Sequence, residues 1–291
     1  MRPLQRPDQP LRRRRPRARG VALVAVLLLV AGLIAIATAV VVLSVSQNRS
    51  AQRAYEADAR REMLDSALRV ALAEISFGKP EGPFWHPRQP RTVSVAGKRV
   101  EVILEREGGR IDLNTADDKY LVAALVASGL TEPAARTGAV RIRDWIDADD
   151  KPAPDEGAER NEYRHSNLPY EPRNAPMEAI NEVRQVLGLG GLSDASLDAF
   201  TVYSQQLEPV ASEAPPAVRA ALDWLAASAG NGGVNASVLP AQLPNANDPV
   251  SYAGSVVRLH ACEEGKKEMC RLVIVRVTGS NRQPWQFLEW R

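Results

Sequence analysis

The feature that most constrains this chain is an apolar run that begins at Val21 and ends at Leu43. Its 23 residues carry no charge, and a helix of that length rises ~1.5 Å per residue, enough to cross a bilayer. Eight arginines crowd the first twenty residues, and such a basic flank indicates the cytoplasmic side of a membrane. We therefore expect a single-pass membrane protein with its N-terminus in the cytoplasm.

The helical pattern continues after the apolar run. In "RREMLDSALRVALAEIS", five apolar residues recur at helical spacing on one face, and these are Leu64, Leu68, Ala71, Leu72 and Ile75. The sequence predicts one helix over residues 21–78, membrane-spanning first and amphipathic second. Two alternatives stay open: an ordinary uncut anchor, and a secretory signal cleaved near the small residues "AIATA" at Ala35–Ala39.

The rest of the chain indicates an α+β fold. Alternating apolar residues about a Gly-Lys turn predict a β-hairpin over 91–107, and two more strands are expected over 255–278. Between them, a helix is predicted from a cap at Asn114 or Thr115 to Ser128, and another from Thr131 to Ile146. We expect one antiparallel sheet packed on the N-terminal helix, with a large all-α domain inserted between its strands.

The expected organisation has six segments. They are a basic leader (1–20), the long helix (21–78), the first part of the sheet (79–110), the helical insert (111–205), a connector (206–250) and the second part of the sheet (251–291).

Charge and cysteines bear on the compartment and the partners. The first twenty residues sum to +7 and the whole chain to +2, so residues 21–291 sum to about −5. That acidic body does not favour a nucleic-acid partner. Cys262 and Cys270 lie between two strand-like runs and predict a cross-strand disulfide, with two free buried thiols as the alternative. A disulfide is typical of an oxidising compartment.

Two stretches of the predicted insert, 111–135 and 179–197, resemble helix-hairpin-helix units, which bind DNA phosphates through backbone amides. No Lys or Arg cluster flanks these hairpins, and we interpret the units as helical packing modules. The sequence contains no nucleophile, phosphate-loop or zinc-protease motif and its three histidines are scattered, so we expect no enzymatic activity.

The densest cluster of polar chemistry lies between Asp144 and Glu162. Eight of these nineteen residues are acidic. So many carboxylates around a Pro/Gly turn repel one another unless they are solvated or bridged by a hard cation such as calcium. The spacing is not that of an EF-hand, and a solvated acidic loop is the alternative.

The N-terminal pattern, a basic leader ending in Gly and followed by a long apolar helix, resembles that of type IV pilins and type II secretion pseudopilins. The resemblance implies that a prepilin peptidase cuts after Gly20 and that Val21 is then N-methylated. The usual glutamate at the fifth mature position falls on Ala25, and its absence is characteristic of the minor pseudopilin K.

The acidic stretch carries the more specific resemblance. "DWIDADD", "GAE" and "EY", followed by "LPYEPRNAPMEAINEVRQVLG", resemble the signature of the type II secretion pseudopilin K family. The resemblance implies a calcium site in this region. The ligands that it implies are Asp149, Asp150, Glu159 and Glu162, with Asp147 and Asp155 as further candidates.

The resemblance also implies the role of the chain. It predicts a non-enzymatic assembly protein of the inner membrane with a periplasmic body, whose partners are the minor pseudopilins I, J and H. Together they would form the tip complex that initiates the pseudopilus. The alternatives are a minor pilin of a type IV pilus and a membrane-anchored helix-hairpin-helix protein that binds DNA.

Overall fold

The computed structural model describes residues 19–77, 87–230, 252–266 and 269–291. The predicted leader before Arg19 and the predicted connector beyond Gly230 lie outside the described residues. One helix, α1, runs from Arg19 to Phe77, so the expected continuous N-terminal helix is present and the proposed processing site at Gly20 and Val21 lies in its first turn. By its length and composition, the apolar first half of α1 could span a membrane.

The second half of α1 packs on a sheet. Met63, Leu64, Leu68, Leu72 and Ile75 are buried against valines and leucines of the strands. These helix positions include the face that the sequence predicts, because residues three and four apart share one side of a helix. Residues 61–291 form one compact unit.

The sheet has five antiparallel strands in the order β1-β2-β5-β6-β7. Their bounds are β1 Arg91–Val95, β2 Lys98–Arg106, β5 Val256–Glu263, β6 Cys270–Val277 and β7 Trp285–Trp290. The expected single antiparallel sheet is thus present, with the two halves of the sequence meeting where β2 pairs with β5. Cys262 and Cys270 face each other across β5 and β6 and form a disulfide, with their Cα atoms 4.3 Å apart.

Between β2 and β5 lies a mostly helical region with its own hydrophobic core. Its helices are α2 Asp118–Ala127, α3 Glu132–Ile146, α4 Arg160–His165, α5 Asp194–Leu197 and α6 Pro216–Gly230. A short parallel pair, β3 Ile111–Asp112 with β4 Phe200–Thr201, also belongs to this region, so the region is not entirely α-helical.

Three details of this region differ from the sequence predictions. The residue before α2 is Asp117, three residues after Asn114, because the side chain of Asn114 instead bonds the backbone of Met177. Residues Ile180–Gln185 form a 3-10 turn, whereas the helix-hairpin-helix resemblance of 179–197 implies an α-helix there. The predicted connector is ordered as far as Gly230, and α6 contributes Val218 and Ala221 to the helical core.

A buried ion network lies where β2 meets the helical region. Glu107 is fully buried, and its carboxylate accepts hydrogen bonds from Arg258 Nε (2.6 Å) and Nη2 (3.3 Å). Arg110, 1% exposed, bonds Glu105 (2.6 Å) and Asp198 (2.8 Å). Each buried charge therefore has a partner of opposite sign, the condition under which burial is tolerated.

Candidate metal centre

The last turn of α3 turns one carboxylate of the acidic stretch inwards. Asp144 is 1% exposed, and its Oδ2 accepts hydrogen bonds from the backbone N–H groups of Ala153 (3.2 Å) and Ala158 (2.7 Å). A Cβ at Gly157 would lie 2.3 Å from the same oxygen, so the loop can fold over Asp144 only with glycine there. Loop 147–158 is therefore wrapped around this side chain.

The second inward carboxylate belongs to Glu159, the residue that precedes α4. Its side chain is 2% exposed, and neither of its carboxylate oxygens has a hydrogen-bond partner. Its backbone N–H is bonded to Glu162 Oε2 at 2.9 Å, so the local capping bond of α4 is made by Glu162. A buried carboxylate without any donor is costly, because nothing replaces the water that it has lost.

Asp144, Asp147 and Glu159 form the centre of the site. One carboxylate oxygen from each lies within 4.8 Å of the others, with Asp147 on the exposed side. The two backbone bonds to Asp144 occupy Oδ2 and leave the other oxygen available. Three hard oxygen ligands thus converge on one point.

The electrostatics of the centre are one-sided. Burial raises the pKa of Glu159, and the negative charges of Asp144, Asp147, Asp150 and Asp149 raise it further, to about 7. The pKa of Asp147 is also raised, first by burial and then by Asp149 and Asp144, against a backbone hydrogen bond that lowers it. The site therefore requires either protons or a cation near neutral pH.

The structure brings together only part of the predicted ligand set. Asp147 and Glu159 are in the centre, whereas Asp149, Asp150 and Asp155 are exposed. Asp149 Oδ1 accepts from Lys151 N (2.8 Å). Their role as ligands stays a prediction.

Asp144 is the residue that sequence reasoning missed. It lies in the last turn of α3, and nothing in its local spacing distinguishes an inward carboxylate from a solvated one. The signal that could have identified it is Gly157, because a glycine in an acidic loop marks a close approach of the backbone to another group.

Aromatic residues adjoin the centre. The rings of Trp145 and Tyr163 lie 5.9 Å apart, and Tyr170 is 6.4 Å from Trp145 and 6.0 Å from Tyr163. Trp145 follows Asp144 directly, and its buried indole N–H has no partner. This tryptophan is therefore placed to report changes at the centre by its fluorescence.

The donor set fits calcium better than a transition metal. All three groups are carboxylates, and no His or Cys takes part. Calcium takes six to eight oxygens from flexible loops, including carbonyls and water, whereas zinc prefers nitrogen and sulfur. The partnerless oxygens of Glu159 are the observation of this structure that a cation would explain.

Comparisons with known proteins bear on the same region. Residues 106–197 match the family model "Type II secretion system (T2SS), protein K". That segment contains the whole candidate metal centre. The predicted resemblance to the type II secretion pseudopilin K family is thereby confirmed. A comparison with curated proteins finds no match to the sequence.

A solved structure shares the fold. It is a chain in the GspK–GspI–GspJ complex of the type 2 secretion system from enterotoxigenic Escherichia coli, with a TM-score of 0.54 and 18% identity. The match covers 84% of this chain and 98% of that chain. At this identity it establishes the common arrangement of helix and sheet.

Proposed function

We propose that this chain is a K-type minor pseudopilin, an assembly protein of a type II secretion system. The observation that carries the proposal is the combination of the family match with this fold. Residues 106–197 match the family model, and they begin at the last residue of strand β2, in the sheet that packs on α1. That helix has 59 residues and an apolar first half. The partners in the proposal are the minor pseudopilins I and J, because the solved relative is named in a complex with GspI and GspJ. We include H as a further member of the tip complex.

Membrane insertion follows from α1. Side chains such as Leu28, Ile36 and Val41 are more than half exposed, an arrangement that suits lipid or the apolar helices of other subunits. The arginine-rich flank favours a cytoplasmic N-terminus and a periplasmic body in the inner membrane. We propose that prepilin peptidase cuts after Gly20 and exposes Val21 for methylation.

Calcium has a structural role in the proposal. Asp144, Asp147 and Glu159 would hold the ion, and Asp149, Asp150, Asp155 and Glu162 are further candidates from the family resemblance. The ion would add positive charge to loop 147–158, where five acidic residues stand against the single Lys151, and its binding would stabilise the fold by RT ln(1 + [Ca]/Kd). No chemical reaction is assigned to the site.

The assembly role is tested by co-expression. The full-length chain is expressed in membranes with the I and J subunits of the same secretion system, and in parallel with minor pilins of a type IV pilus. We expect I and J to co-purify with the chain after detergent extraction and the type IV pilins to be absent. Recovery of type IV pilins alone would favour the pilus alternative.

Processing is tested by intact mass and N-terminal sequencing with and without prepilin peptidase. The proposal expects a mature form that starts at methylated Val21 only when the peptidase is present. A cut near Ala39 would instead indicate a secretory signal and contradict a filament subunit.

The calcium ligands are tested in variants of the full chain. Asp149→Ala combined with Glu159→Ala is expected to lower the melting temperature only when calcium is present. Glu178→Ala combined with Glu208→Ala serves as the matched control, because both side chains are exposed and lie outside the acidic stretch from Asp144 to Glu162. An equal loss in chelator would remove calcium from the proposal.

A further inference from the structure

A polar cavity of about 400 Å³ lies on the sheet, in a part of the body separate from the acidic loop. It is bounded by the end of β2, by the loop 204–213 and by the beginning of β5, with Arg276 of β6 at its wall. Serines, glutamines and glycines form most of its other lining. Sites for drug-like molecules are mostly apolar, so this lining is closer to that of a hydrated contact between proteins.

Arg276 is the unusual group in this cavity. Its Nε is enclosed by protein and has no hydrogen-bond partner, and within the described residues no carboxylate lies at ion-pair distance from its guanidinium. Arg276 pairs with Val256 of the neighbouring strand β5, and Arg258 lies two residues further along that strand. The guanidinium of Arg258, by contrast, is paired with Glu107. An enclosed donor without an acceptor is costly, so the guanidinium of the half-buried Arg276 has an unmet need for an acceptor.

The charges of the lining define that anion. Arg106 is already paired with Glu213 at 2.7 Å and donates to Ser255 Oγ at 2.6 Å. The two arginines and Glu213 leave the lining one positive charge in excess, which suits a monoanion. The planar fork of a guanidinium matches a carboxylate in two parallel hydrogen bonds, and a single excess positive charge balances a carboxylate but not a phosphate dianion.

We propose that this cavity binds a carboxylate presented by a partner polypeptide, with Arg276 as the anchoring residue. An acidic side chain entering between Arg276 and Ser255 would satisfy the guanidinium and reach the hydroxyl and amide groups of the lining. The inference is independent of the assembly role and of calcium, because it rests on Arg276, its charge and the cavity around it.

The test measures peptide binding to the full-length chain in detergent, with a chelator present so that calcium cannot bridge peptide and protein. The probe is a fluorescent tetraglutamate peptide, capped at both ends, and the reference is capped tetraglutamine. We expect tetraglutamate to bind and tetraglutamine not to bind. In Arg276→Gln the affinity is expected to fall about tenfold or more, as for loss of a charge-assisted hydrogen bond.

Arg282→Gln is the matched control. Arg282 is exposed in the β6–β7 turn, so this variant makes the same change of net charge and is expected to keep the wild-type affinity. Arg276→Lys keeps the charge but loses the fork, and intermediate binding is expected. Melting curves of all variants check that they fold.

Three results would overturn the proposal. They are failure of tetraglutamate to bind the wild-type chain, equal loss of binding in Arg276→Gln and Arg282→Gln, and displacement of the peptide by inorganic phosphate more readily than by acetate. The second would indicate a general charge effect, and the third a site for phosphate.

Discussion

Two regions of this protein bury carboxylates, and they balance the charge in opposite ways. Where β2 meets the helical region, Glu107 is enclosed but bonded to Arg258, and Arg110 is bonded to Glu105. In the acidic loop, Glu159 is enclosed just as fully, and the charges that act on it are other carboxylates. The first region carries its counterions within the sequence, whereas we propose that the second obtains a cation from outside.

The pKa values express this difference. Burial raises the pKa of Glu105, but the charge and hydrogen bond of Arg110 outweigh burial and hold it below its ordinary value. Burial also raises the pKa of Glu159, and its neighbours add to the effect, so that it reaches about 7. Burial alone therefore does not decide the state of a carboxylate; the sign of its neighbours does.

Breaking the balanced region should have the largest effect. Glu107→Gln leaves Arg258 buried with only the half-exposed Asp198, 3.7 Å from its Nη1, as a counterion, and we expect the free energy of unfolding to fall by about 3 kcal/mol. Urea denaturation of the full-length chain measures this loss. It should be equal in calcium and in chelator, and a loss that depends on calcium would mean that the two regions are coupled.

The unbalanced region should reveal itself through pH. In chelator the folded state keeps a proton on Glu159 up to about pH 7, whereas the unfolded chain releases it near the ordinary value of 4.5. This contribution to stability is therefore complete below about pH 4.5 and is lost as the pH rises through 7, by up to about 3 kcal/mol.

Glu159→Gln should remove that part of the pH dependence, and it should raise the stability of the metal-free protein at pH 8. Denaturation curves between pH 4.5 and 8 measure both effects. An unchanged pH dependence in this variant would show that Glu159 is not the titrating group.

The disulfide offers a constraint that involves no buried charge. Replacing both Cys262 and Cys270 by Ala frees a short loop, and the expected loss is about 2–3 kcal/mol. The loss should be the same at every pH and calcium concentration. Thermal melts of the double variant, compared with the wild type without reductant, check this expectation, and reduction of the wild type should reproduce the loss.

An exposed ion pair should give the smallest loss in the free energy of unfolding. Arg136 and Glu132 are bonded at 2.6 Å on α3, but their side chains are 66% and 50% exposed. Arg136→Ala should cost only about 0.3–0.5 kcal/mol, because water screens the pair. A loss comparable to that of Glu107→Gln would mean that burial is not what gives the ion network its strength.

The sequence predicted the parts of the fold that have a local period or cap. The helical face around Leu68, the hairpin over 91–107 and the helix after Thr131 each depend on residues close in the chain. The pairing of β2 with β5 was predicted in outline, because both halves carry strand patterns that need a common sheet.

The buried charges were less predictable, because their partners are far apart in the sequence. Glu107 and Arg258 are 151 residues apart, and no local pattern marks either one. The acidic stretch was recognisable as a candidate cation site, but spacing alone could not tell which carboxylates the loop turns inwards. Asp144 is buried there because loop 147–158 folds over it at Gly157.

The central claim is that the acidic loop needs a cation to balance Glu159. The most direct measurement is a calcium titration of the full-length chain, followed by tryptophan fluorescence, to which Trp145 contributes, and by calorimetry. Glu159→Gln and the exposed control Glu178→Gln are titrated in parallel. We expect saturable binding and a calcium-dependent rise in melting temperature in the wild type and in the control, and neither in Glu159→Gln. Equal calcium responses in all three proteins, or none in the wild type, would contradict the claim.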